Sequence, residues 1–141
     1  EPIQWSGETE DGSLEIYRAV YDADNVAQRD TYSLDGNLIG SYTYLYDDLG
    51  NEVEVRDRDG NISKYEYEDG NLTKSIQYYN DQLIGYDLFD YDSNGNLIGQ
   101  RSYDADDNSL GSVEYERDEN NRVIKEYFYN ADGNLEDVIE E

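Results

Sequence analysis

Cysteine, histidine and methionine are absent from this 141-residue chain, and proline occurs once, at Pro2. Without cysteine there is no disulfide framework and no thiol chemistry. Without cysteine or histidine the usual zinc ligand sets and imidazole acid–base catalysis are excluded. Positive charge is scarce too: Lys and Arg total 10 against 35 Asp and Glu, a net charge of −25. That balance opposes nucleic-acid binding and docking on anionic lipid, both of which need a basic footprint. It suits a solvated, self-repelling surface, a high-salt habitat, or a basic partner. No apolar run approaches the length of a membrane-crossing helix. No signal-peptide pattern opens the sequence, and Glu1-Pro2 is read as a processed end.

What is present is tyrosine and a repeated turn. The 16 Tyr residues and the single Trp alternate with polar residues among Val, Ile and Leu, a regularity that disordered chains lack. The organising stretch is Tyr91-Asp92-Ser93-Asn94-Gly95-Asn96-Leu97-Ile98. With Asp92 at position i of a type I turn, Gly95 falls at the following position that needs φ > 0, giving a hairpin loop with a bulge. The unit recurs at Tyr32-Ser33-Leu34-Asp35-Gly36-Asn37, Tyr46-Asp47-Asp48-Leu49-Gly50-Asn51, Arg56-Asp57-Arg58-Asp59-Gly60-Asn61 and Tyr129-Asn130-Ala131-Asp132-Gly133-Asn134. Asn replaces Gly in residues 21–25 and 117–121, residues 67–72 hold a shorter version, Tyr79-Asn80-Asp81-Gln82 lacks the Gly, and residues 103–108 are read as one longer. Starts lie roughly 10–14 residues apart, the spacing of short strands joined by turns.

Residues 1–13 read as a lead-in or cap, with Trp5 covering the first strand and Asp11-Gly12 as a hairpin dipeptide. Residues 14–139 read as a single repeat domain. Residues 38–46 form the strongest strand, with Leu38, Tyr42, Tyr44 and Tyr46 expected on one face and Ile39, Thr43 and Leu45 on the other. Gly111 is expected to mark a bulge or a close backbone approach. No window has helical periodicity. The expected fold is therefore all-β: an antiparallel hairpin-repeat meander of about eleven short strands, extended or spiralling, with a closed barrel ranked third.

The Tyr-Asp-x-x-Gly-Asn-Leu unit, plain at Tyr46 to Asn51, Tyr91 to Leu97 and Tyr129 to Leu135, resembles the YD repeat of Rhs and teneurin-type proteins. The resemblance implies a β-hairpin sheet in a bacterial surface or secreted protein. Large members of that family enclose a toxin segment. With few repeats, no arginine-rich signature and no toxin segment, this chain is expected to be a small adhesive or assembling module instead.

Among site candidates, Asp90, Asp92 and Asn94 with Gly95 match the opening of an EF-hand calcium loop. The position for its bidentate Glu is Arg101 and the flanks are strands. The competing explanation is turn chemistry, in which each Asp caps its own backbone. Asp57, Asp59 and Asn61, and Asp104, Asp106 and Asn108, repeat the pattern. With so many carboxylates no pair signals glycoside hydrolysis. The expectation is a non-enzymatic, extracellular or cell-surface structural or adhesive module without a cofactor, calcium being the one candidate. It is expected to bind a protein, a glycan or copies of itself through sheet face or edges, with neither nucleic acid nor membrane insertion. The alternatives are an acidic calcium- or sugar-binding module and an immunity partner of a basic toxin.

Overall fold

The computed structural model describes residues 3–8, 14–20, 26–33 and 35–140, the first two stretches by their strand pairing. Twelve strands follow one another: β1 (Ile3–Glu8), β2 (Leu14–Val20), β3 (Val26–Tyr32), β4 (Leu38–Tyr46), β5 (Glu52–Asp57), β6 (Asn61–Glu68), β7 (Asn71–Tyr79), β8 (Gln82–Tyr91), β9 (Leu97–Asp104), β10 (Ser109–Arg117), β11 (Val123–Tyr129) and β12 (Leu135–Glu140). Among the described residues there is no helix. Strand order is chain order, and among the described residues β12 does not pair with β1, so the ladder is an open antiparallel meander rather than a barrel. β1, inside the expected lead-in, pairs with β2 from Ile3↔Ala19 to Glu8↔Leu14. The side chain of Trp5, Asp11-Gly12 and the turn at residues 21–25 lie outside the described residues. By compactness the chain divides into residues 1–64 with 78–81, and residues 65–77 with 82–141.

The turns form where Asp and Gly put them. Six share one hydrogen-bond pattern: the N–H of the fourth residue donates to the carbonyl of the first, as Gly95 does to Asp92 (3.1 Å), and the first residue's N–H donates to the carbonyl of the fifth, as Asp92 does to Asn96 (2.9 Å). The fourth residue has φ > 0 in each: Gly36, Gly50, Gly95, Asp107, Asn121 and Gly133. The turn at Asp104 is thus the same length as the others, not longer, because Asp107 (φ 64°) takes the glycine's place. Two hairpins differ. Asp69 and Gly70 (φ 51° and 82°), and Asn80 and Asp81 (φ 48° and 63°), are paired left-handed residues, the signature of a two-residue type I′ turn.

Each of the six hairpins that share one pattern also has a bulge one pair beyond the turn, anticipated only at Gly111. The hairpin at Asp57, with Gly60 at φ 92°, instead keeps its register from Arg56↔Ile62 to Glu54↔Lys64. After the first cross-strand pair, such as Tyr91↔Leu97, the register shifts so that Asp90 pairs with Gly99 and Ile98 is left over. The same shift leaves out Ile39, Val53, Leu110, Ile124 and Glu136. Gly111 lies beside one such bulge, as expected. A single extra residue reverses the alternation of faces. Leu38 pairs with Tyr32 while Tyr42 pairs with Arg29, so Leu38 faces away from Tyr42 and Tyr44, contrary to the expectation of a shared face.

Little of the sheet is covered. Among the described residues the buried apolar side chains are Ala27 and Ile62, joined by the buried polar residues Asp30, Glu54 and Ser75. Asp30 accepts hydrogen bonds from Gln28 (2.9 Å) and Ser41 (2.7 Å). Glu54 is paired with Arg56 and with Lys64 (3.5 Å). Buried polar groups without such partners would be costly.

Candidate functional site

Two features of the meander can meet a ligand: the row of acidic turns and the tyrosine-bearing faces. In the turn at Asp92, one carboxylate oxygen accepts the backbone N–H of Asn94 (2.8 Å) and of Asn96 (2.9 Å), and the other accepts the Asn96 side-chain amide (2.9 Å). Asp47, Asp57 and Asp104 repeat all three bonds with Asn51, Asn61 and Asn108 at the fifth position. In the turn at Asp118, Arg122 takes the asparagine's part. These bonds stabilise the ionised form. The Asn amide and backbone N–H groups hold Asp47, Asp57 and Asp104 below the usual carboxylate range, and the backbone N–H of the fifth residue leads the same effect in Asp92 and Asp118.

The structure does not bring Asp90, Asp92 and Asn94 together around a common point. Asp90, on β8, forms a bidentate pair with Arg101 on β9 (2.9 and 2.8 Å), while Asp92 turns onto its own loop and Asn94 gives it a backbone N–H. Asp57 and Asp104 are likewise bound to backbone and amide groups of their own triads. Among the described residues no group of three or more acidic side chains is placed to hold a metal ion.

The faces carry a second chemistry, cations on tyrosine. Arg29 lies over Tyr42 and Tyr44, with its guanidinium carbon 5.0 and 5.7 Å from the ring centres. Lys64 lies over Tyr78 (5.5 Å) and Lys74 over Tyr86 (4.7 Å). Tyr86 in turn stacks on Tyr103, with ring centres 5.0 Å apart. On β11, Tyr127 donates to Glu116 (2.6 Å) and Tyr129 to Glu114 (3.3 Å). The Glu116 bond raises the Tyr127 phenol pKa, and for Tyr129 burial leads, followed by the Glu114 charge. Beside these rings a concavity of about 680 Å³ opens over Gly99, bordered by Asp90, Ile98, Glu114, Glu116 and Tyr127.

Sequence reasoning missed two participants. The Asn after each turn glycine reads as another turn-former, yet its amide closes the Asp carboxylate. Arg101 reads as a defect in a calcium loop, yet it is the counter-ion of Asp90. The recurrence of Asn one place after the left-handed residue was the signal for the first. Nothing local announced the second, because it depends on β8–β9 register.

Hairpins laid side by side in chain order, most of them opened by an Asp- or Asn-headed turn, define a β-hairpin repeat protein. Residues 46–78 match the family described as RHS Repeat, which supports an Rhs-type YD repeat in this part of the chain. No curated protein matches the chain.

Proposed function

We propose that the chain is a non-enzymatic structural or adhesive module, working outside the cell or on its surface, whose sheet faces bind another macromolecule. The observation that carries this reading is the lack of cover. Among the described residues Leu38, Ile39, Ile84, Ile98 and Leu110 are all exposed on strands, and the tyrosines are half-buried or, like Tyr42 and Tyr79, exposed. Rigid amphipathic rings on an open face supply contact area at small entropic cost. The RHS Repeat match supports an extracellular setting. The test is capture by the immobilised chain against a glycan array, candidate surface proteins and the chain itself, with fractionation of the source cells. Retention of a protein, a glycan or a second copy is expected, and the chain should fractionate outside the cytoplasm. Failure to retain any of the three would overturn the reading.

A further inference from the structure

We propose that the concavity over Gly99 is a recognition site for an arginine-bearing, extended segment of a basic partner protein. This deepens the binding-module reading and rests on it. Cross-strand register supplies the geometry: Asp90 pairs with Gly99 and Gly99 with Glu114, and Glu114 pairs with Tyr127. These four residues form one row on one face. Neighbouring strands lie about 4.8 Å apart, so the missing side chain at Gly99 leaves a gap roughly 10 Å wide between flanking acidic positions. A side chain built on Gly99 would start 3.9 Å from the Asp90 carboxylate and 3.3 Å from the Val113 carbonyl. The floor is therefore backbone, with a carboxylate at its rim. Tyr127 and Glu116 stand on one side, and Ile98, thrown outward by the β9 bulge and 40% exposed, closes one end.

Charge selects the occupant. Arg101 answers Asp90, and Lys125 faces Glu116 across β10–β11 and is also paired with Glu140 (2.9 Å), so Glu114 is the carboxylate left for the occupant; the phenol hydrogen bond it receives leaves its negative charge in place. The chain itself places Arg29 on two tyrosine rings. A guanidinium entering over Gly99 can lie on Tyr127 and offer its planar fork to Glu114, which a lysine ammonium does less well. A second copy of the chain, itself at −25, is a poor occupant of this acidic concavity.

The test uses the full chain and a capped peptide of alternating glycine and arginine, with its lysine counterpart, titrated by calorimetry at about 0.15 M salt. The arginine peptide is expected to bind several-fold tighter than the lysine one. Glu114→Gln should weaken it about tenfold and Gly99→Ala about fivefold, whereas Asp132→Asn, an equal charge change in the β11–β12 turn and outside the concavity, should change it less than about twofold. Circular dichroism checks that each variant folds, and Glu114→Gln preserves shape if Gly99→Ala does not fold. The proposal is overturned if the arginine peptide does not bind, or if Asp132→Asn weakens it as much as Glu114→Gln, which would make the attraction diffuse. Peptide failure with macromolecular capture retained removes this site alone. Loss of both removes the binding-module reading as well.

Discussion

At the scale of the residue, the first position of the turn carries the most. Asp92 satisfies two backbone N–H groups and one amide with a single carboxylate. Its counterpart Asn130 serves the same two backbone positions, at 3.1 and 3.0 Å, but its side-chain nitrogen cannot accept an amide from Asn134. Asp92→Asn should therefore lower the melting temperature less than Asp92→Ala. Because the pKa values of Asp47, Asp57, Asp92, Asp104 and Asp118 are lowered by folding, their stabilisation is fully present above the unfolded value, about 3.9, and is lost as pH falls through the folded values. Thermal melts should hold steady from neutral to about pH 5 and fall steeply below about pH 4, the fall being shallower in Asp92→Asn. An identical acid limb in wild type and variant would contradict this origin. The left-handed position behaves differently. Gly133 has φ 77° and nothing within 4 Å of an added Cβ, so Gly133→Ala should cost about 1 kcal/mol from conformation alone. Gly133→Asn should cost less, since Asn121 already adopts φ 65° in the same place. Gly60→Ala should cost more than Gly133→Ala, because the Asn80 side chain occupies the space as well. Urea midpoints of the three variants give the order.

At the scale of the element, the turns were legible and the register was not. Asp or Asn four residues ahead of an Asn, with Gly between, marks a chain reversal because local hydrogen bonds decide it. The strands follow as whatever lies between, and residues 38–46 were delimited in full this way. Except beside Gly111, the repeated bulge escaped because it depends on how one strand meets the next. Ile39, Ile98 and Leu110 look like ordinary sheet residues until pairing leaves them unmatched. The two type I′ turns escaped for a related reason, since Asp69-Gly70 reads as a shortened copy of the longer loop. The glycines after the bulges separate local from non-local causes. Gly111 has φ 128°, and an added Cβ would lie 2.6 Å from the Tyr129 carbonyl on the next strand. Gly40 has ordinary backbone, and its nearest neighbour, Thr31 Cβ, would be 3.7 Å away. Gly111→Ala is therefore expected to cost about 2–3 kcal/mol and Gly40→Ala less than about 0.5 kcal/mol, measured by urea unfolding. Equal costs would mean that the bulge glycines serve chain flexibility rather than close approach.

At the scale of the whole molecule, charge dominates. A net −25 spread over a thinly covered sheet makes the folded chain repel itself, and added salt screens that repulsion. The melting temperature should rise as NaCl increases from about 0.01 to 0.5 M, over which the Debye length shrinks from about 30 Å to a few ångströms. Calcium adds a sharper question. Any divalent cation will gather near so acidic a surface, so stabilisation by Ca²⁺ alone does not identify a site. The carboxylates that match a calcium loop are engaged internally, Asp90 by Arg101 and Asp92 by its own turn. A specific ion would have to displace those bonds. Ca²⁺ and Mg²⁺ at equal concentration should therefore raise the melting temperature by the same amount, with Arg101→Gln needed before Ca²⁺ gains an advantage. Removing that guanidinium frees Asp90, and a hard cation that accepts irregular oxygen coordination then profits more than Mg²⁺, which holds its waters. A calcium-specific shift in the unaltered chain, abolished by Asp90→Asn, would instead show that the ion outcompetes Arg101 and that these turns bind metal.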